Sequence, residues 1–94
     1  MEITTKMEGN NINFELNING DIAGEINAKL NQGNVEIHHT KVKEAYNGQG
    51  LGKKLVESVI DYARKHQLKI VSYCPYAKRV LEKSEDVKDV FNAG

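Results

Sequence analysis

Tryptophan is absent from these 94 residues, and cysteine and proline occur once each, as the adjacent pair Cys74 and Pro75. One cysteine excludes an internal disulfide, and with it the small disulfide-built secreted scaffolds. Neither sign of charge is in excess: Lys+Arg and Asp+Glu stand at 13 each. A balanced chain has no field with which to hold nucleic acid or an anionic membrane surface without specific contacts. No apolar run approaches the ~20 residues that cross a bilayer, and Met1–Lys6 has no apolar signal core. Neither nucleic-acid nor membrane partners are expected, no metal site is signalled, and the expectations are a cytoplasmic setting and a monomer.

What is present suits one compact domain over residues 1–94, with 39% apolar residues for a modest core. The first half alternates with period two. Ile12, Phe14, Leu16 and Ile18 alternate with polar residues, as do Ile22, Gly24, Ile26, Ala28 and Leu30, and then Val35, Ile37 and His39. Gly9-Asn10-Asn11, Asn19-Gly20-Asp21 and Asn31-Gln32-Gly33-Asn34 supply the turns, and a short opening strand falls at about residues 2–7. Four antiparallel strands in sequence are predicted. The period then changes: Leu51, Leu55, Val56, Val59, Ile60 and Ala63 form one helical stripe, with Lys53, Lys54, Glu57, Asp61 and Arg64 opposite, ending at Gln67-Leu68. Lys69–Tyr73 reads as a fifth strand, parallel to the fourth because it returns through a crossover. Pro75 opens a second helix with Ala77, Val80 and Leu81 inward, and the tail from Ser84 to Gly94 anchors through Val87, Val90 and Phe91.

Between the strands and the main helix lies Asn47-Gly48-Gln49-Gly50-Leu51-Gly52. Glycines let consecutive backbone N–H groups converge, and the first turn of a helix leaves N–H donors unpaired at its positive end, so the segment reads as an anion cradle. Spacing excludes two familiar cradles. A P-loop requires glycine where Asn47 stands and Ser or Thr where Lys54 stands, and a dinucleotide fingerprint starting at Gly48 requires glycine where Lys53 stands.

The segment resembles instead the coenzyme A loop of the GCN5-related N-acetyltransferases, with Asn47 where that family has Gln or Arg. From His38 to Lys83 the chain is similar to the short subfamily of these proteins, through His39-Thr40 before the loop, Gly48-Gln49-Gly50 in it, Tyr62-Ala63 late in the helix, and Ser72-Tyr73-Cys74-Pro75-Tyr76 after the fifth strand. The resemblance implies a minimal α+β acetyltransferase fold: a mostly antiparallel five-stranded sheet, strands four and five splayed apart, one main helix and one short C-terminal helix. Only a turn at Gly9-Asn10-Asn11 stands where larger relatives insert helices that wall the acceptor site.

The same resemblance implies the ligand, acetyl-coenzyme A or coenzyme A, and an amine acceptor, small molecule or protein. Pyrophosphate would rest on the N–H groups of Gly48, Gln49, Gly50, Leu51, Gly52 and Lys53, beside Asn47. The pantetheine arm would meet main-chain groups of Thr40, Lys41 and Val42, the thioester would end near Cys74, and Tyr76 would join the cofactor-binding residues. Lys53, Lys78 and Arg79 are assigned to the ribose phosphate, against the alternative of an ordinary solvated helix face. Cys74 at a helix start is either an activated thiolate able to exchange with a thioester or a small buried hydrophobe. His39 is either the general base for the amine or a core residue beside Val35 and Ile37, while His38 and His66 read as surface residues. Three functions stay open: an N-acetyltransferase, acting directly or through Cys74; a module that binds or senses coenzyme A without turnover; and a phosphate-binding domain for another nucleotide.

Overall fold

The computed structural model describes residues 1–91; Asn92, Ala93 and Gly94, the end of the expected tail, lie outside the described residues. Strands β1 (Glu2–Glu8), β2 (Asn11–Ile18), β3 (Asp21–Asn31) and β4 (Asn34–Val42) form an antiparallel meander, a 3₁₀ turn follows at Glu44–Tyr46, and then α1 (Leu51–His66), β5 (Lys69–Ser72) and α2 (Pro75–Lys83). The sheet order is β1-β2-β3-β4-β5, with β5 parallel to β4. This is the expected α+β architecture.

Both helices pack on one face of the sheet. Leu55, Val56, Val59 and Ala63 of α1 are fully buried against Ile12, Phe14, Leu16, Ile26, Ala28, Val35 and Ile37 of the strands, and Ala77 and Leu81 of α2 extend that core beside α1. The amphipathic stripe read from the sequence is the one buried. The tail closes the outer side of β5: Ile70 bridges to Phe91, and Arg64 of α1 pairs with Asp89 at 2.9 Å. Val87, Val90 and Phe91 are buried, as their spacing suggested.

Two irregularities correct the alternation. Between Leu16 and Asn17 the β2–β3 register shifts, so Asn17 faces Ile22 while Leu16 faces Gly24. Ala23, the unpaired residue, is buried, and Ile22 is turned out to 36% exposure. On β4 the shift falls at His38: Asn27 pairs with His39, but Ala28 pairs with Ile37. An extra residue flips every side chain beyond it. His39 is therefore exposed and does not share a face with Val35 and Ile37.

Gly24 sits where α1 comes down on the sheet. A Cβ there would lie 2.9 Å from the Lys41 carbonyl oxygen and 3.2 Å from Leu55 Cδ1. Gly24→Val is expected to cost about 1–3 kcal/mol through overpacking, a large part of the roughly 5–15 kcal/mol that holds a domain of this size together. Urea unfolding measures it; a midpoint equal to that of the wild type would show that helix and sheet have slack at this point.

Candidate active site

The site starts where two strands part. β4 and β5 pair from Asn34–Lys69 to Ile37–Ser72, and the last rung is the Tyr73 N–H donating to the Ile37 carbonyl at 2.8 Å. β4 runs on to Val42 without β5 beside it. On its other side it stays bonded to β3, where the Lys43 N–H donates to the Ala23 carbonyl at 2.8 Å. Antiparallel ladders alternate, so Lys41 and Lys43 bond toward β3 while Thr40 and Val42 turn their main-chain groups into the gap. The splay is present as expected, with two β4 residues offering backbone donors and acceptors along one wall.

The glycine loop closes the gap's open end. Gly48 (φ +80°) and Gly50 (φ +72°) both occupy the left-handed region, where a side chain is disfavoured, and Gly50 is the N-cap of α1 without any side chain capping the helix. Asn47 N–H donates to the Glu44 carbonyl and Lys54 N–H to the Gly50 carbonyl. Between them, none of the N–H groups from Gly48 through Lys53 has an acceptor among the described residues. Leu51 and Gly52 are nevertheless buried residues. Such a run of unpaired donors at the positive end of a 16-residue helix is suited to an anion.

Thr40, Val42, Asn47, Gly48, Gly50, Gly52 and Tyr76 line a cavity of about 290 Å³ that joins loop and gap. Gly52 belongs there for a packing reason, since a Cβ on it would come within 2.5 Å of the Tyr76 hydroxyl. Lys53 instead edges a groove of about 670 Å³ between α1 and α2, with Asp61, Arg64, Val80 and Val87. Lys78 and Arg79 are exposed on α2, and Leu51 contributes its N–H while its side chain is core. Lys41 points away from the cavity, lining a hollow of about 220 Å³ with Glu25, Asn27 and His39 on the uncovered sheet face.

Cys74 caps α2 at the inner end of the gap. It is 8% exposed, with Sγ 3.5 Å from the Thr40 hydroxyl oxygen. Burial pushes its thiol up, but the Ala77 N–H, the Thr40 hydroxyl and the N–H groups of Tyr76 and Thr40 favour the thiolate and together hold it below its ordinary value. The residue is thus buried with its thiol held below the ordinary value.

Sequence reasoning missed the brace that sets the loop's starting point. Asp21, the first residue of β3, accepts from Lys43 Nζ at 2.7 Å and from the Tyr46 hydroxyl at 3.1 Å. The Lys43 bond, with help from Tyr46, draws the Asp21 carboxyl below its usual value, while the Asp21 carboxylate raises the Tyr46 phenol. The brace joins residues 22 and 25 positions apart, and no local pattern signals it. His38 is a surface residue only in part. It is half-buried, stacked on Tyr73 with ring centroids 5.2 Å apart, and its Nε2 is buried.

A family model described as GCN5-related N-acetyl-transferase matches residues 13–90. The chain belongs to the GCN5-related N-acetyltransferases. Among solved structures, a GCN5-like protein from Staphylococcus aureus studied by solution NMR is 32% identical, with 95% of this chain and 87% of that one covered and a TM-score of 0.69. The ribosomal-protein-S18-alanine N-acetyltransferase of Escherichia coli (23% identity, 81% and 52% covered, TM-score 0.70) and Tetrahymena GCN5 (16%, 73% and 46%, TM-score 0.65) share the fold. This chain spans about half the length of those two enzymes. No curated protein sequence matches it. As an acetyltransferase-family domain it fits the family's general use of acetyl-coenzyme A and an amine. Among the described residues, no helix is long and apolar enough to cross a membrane, and no cluster of His, Cys, Asp and Glu is arranged to hold a metal ion.

Proposed function

We propose that this chain transfers the acetyl group of acetyl-coenzyme A to an amine. The observation that carries the reading is the unbroken run of acceptor-less N–H groups from Gly48 through Lys53 at the head of α1, opening into the β4–β5 gap. The run holds the pyrophosphate. Thr40 and Val42 receive the pantetheine amides in the manner of a missing strand, with Asn47 and Tyr76 on the opposite wall. That places the thioester at the inner end of the gap, beside the Thr40 hydroxyl and Cys74 Sγ. The amine enters from the uncovered face of the sheet, loses a proton there to His39, to water or to another base on that face, and attacks the thioester carbon. The C–S bond breaks, and coenzyme A leaves as thiolate. Lys53, Lys78 and Arg79 border the path on the helix side and are assigned to the ribose phosphate.

A second reading is favoured by one specific feature: β1 and β2 are joined by a turn at Gly9-Asn10, so no helix inserted there walls the acceptor side among the described residues. A domain with donor contacts and no acceptor wall suits binding or sensing of coenzyme A without turnover. One experiment separates the two. Calorimetry is expected to show coenzyme A and acetyl-coenzyme A binding in preference to ATP and NAD, and mass spectrometry of protein mixed with acetyl-coenzyme A and either spermidine or a lysine peptide is expected to show an acetylated amine. Coenzyme A binding without any acetylated product would establish the sensing module, and preference for ATP or NAD would sink both.

A further inference from the structure

We propose that His38, held between Glu36 and Tyr73, is the group that takes the proton from the acceptor amine; the inference rests on the transferase reading above. His38 is the inserted residue of the β4 irregularity, so it has no partner on β3. Val35 and Ile37 bury beneath α1, and His38 lies on the other side of the strand with Glu36. It follows directly on Ile37, whose carbonyl closes the last β4–β5 rung through Tyr73 N–H. The imidazole therefore sits at the point where the strands part, and Tyr73, which immediately precedes Cys74, stacks on it across the gap at an interplanar angle of 19°. Thr40, two residues beyond His38, and Cys74, one residue beyond Tyr73, meet on the helix side, their hydroxyl oxygen and Sγ 3.5 Å apart.

The two ring nitrogens are not equivalent. Among the described residues, Nε2 is buried and lacks a hydrogen-bond partner, and Glu36 Oε1 faces it at 3.6 Å. Glu36 is itself held, accepting from Asn31 Nδ2 at 3.2 Å through its other oxygen. A fixed carboxylate facing Nε2 favours the tautomer with hydrogen on that nitrogen, leaving the Nδ1 lone pair as the one that can meet an incoming ammonium. A buried polar atom otherwise unpaired is costly, so the arrangement reads as a site and not as packing. His39, one residue on, lacks these supports: it is exposed, in the hollow with Glu25, Asn27 and Lys41.

In the step itself, His38 Nδ1 takes one proton from the ammonium, and the freed nitrogen lone pair forms the N–C bond. The C–S electron pair then leaves with the coenzyme A sulfur, and the second nitrogen proton goes to that thiolate. The products are the amide, coenzyme A as thiol and one imidazolium, which returns its proton to water. The charged or titratable groups around this point are Glu36 on the same strand, Tyr73 beyond β5, Cys74 on the helix side, and Lys29, which pairs with Glu36 in the β3–β4 register.

The test uses the full chain with acetyl-coenzyme A and spermidine or a lysine peptide. His38→Gln is expected to lower kcat by ~10²-fold at neutral pH, as loss of a general base does, with KM for acetyl-coenzyme A and calorimetric coenzyme A affinity unchanged. The loss should shrink as pH rises and the amine deprotonates unaided. Independently of turnover, the ring-nitrogen NMR spectrum of His38 should report hydrogen on Nε2 in the wild type and a mixed tautomer in Glu36→Gln. A His38→Gln protein with the wild-type rate, a loss found in His39→Gln instead, or hydrogen on Nδ1 in the wild type would each overturn the assignment. A wild type that binds coenzyme A but acetylates neither amine would overturn the transferase reading, and the base role with it.

Discussion

Exposure of the wild-type chain to coenzyme A disulfide is expected to add one coenzyme A through Cys74, reversed by reductant, while Cys74→Ser gains nothing. The thiolate attacks one sulfur of the disulfide, a protein–coenzyme A disulfide forms, and the second coenzyme A leaves as thiolate. Two features favour it. Cys74 Sγ lies 3.5 Å from the Thr40 hydroxyl at the β4–β5 gap, and the α2 N–H groups hold the thiol below its ordinary value despite its burial. The sign of the pH dependence follows from that direction. A depressed thiol keeps its thiolate at pH values where free cysteine, near ~8.5, is mostly protonated. Its exchange rate relative to free cysteine should therefore rise as pH is lowered through the free-cysteine value and level off below the depressed one, where both absolute rates fall together. The thiolate's contribution to stability has the same sense: present above the unfolded value, lost as pH falls through the folded one. Intact mass against time at several pH values measures the exchange. Modification no faster than that of free cysteine throughout would leave Cys74 a buried hydrophobe.

The glycine loop gives the second large effect. At Gly48 and Gly50 a Cβ would meet nothing within 4 Å, so steric collision with the rest of the protein is not at issue. The backbone is. Both residues hold positive φ, and a β-branched residue there costs on the order of 1–2 kcal/mol. The chain can bear that cost or leave the left-handed region, and leaving it swings the N–H groups of residues 48–51 out of register. Gly50→Val is expected to weaken coenzyme A at least about tenfold, equivalent to ~1.4 kcal/mol, with an unchanged circular dichroism spectrum. Gly48→Asn should be tolerated far better than Gly48→Val, because asparagine visits this conformation. That contrast separates backbone geometry from bulk. A folded Gly50→Val protein binding coenzyme A as the wild type does would remove the loop from the site.

Residues within reach of one another along the chain carried most of the fold. The α1 stripe from Leu51 to Ala63, the turns around Asn19 and Gln32, Pro75 at the start of α2, and the loop glycines all express preferences that depend on neighbours four residues away or fewer. Strand order followed as well, because short turns leave consecutive strands little choice but to pair. Pairing itself was beyond the sequence. The extra residues at Ala23 and His38 are defined only by what stands opposite on the next strand, and a single insertion exchanges inside for outside. Periodicity thus put His39 on the face of Val35 and Ile37, and tertiary structure turned it out to solvent and left His38 partly covered beside Glu36 and Tyr73. It also decided what Cys74 meets, since Thr40 lies 34 residues away, and what braces the loop, since Asp21 reaches Lys43 and Tyr46 across the sheet's end. Local backbone chemistry by itself determined the elements and the anion cradle. The side chains that converge on the β4–β5 gap come from distant strands, and only the closed sheet, with its two added residues, brings them together.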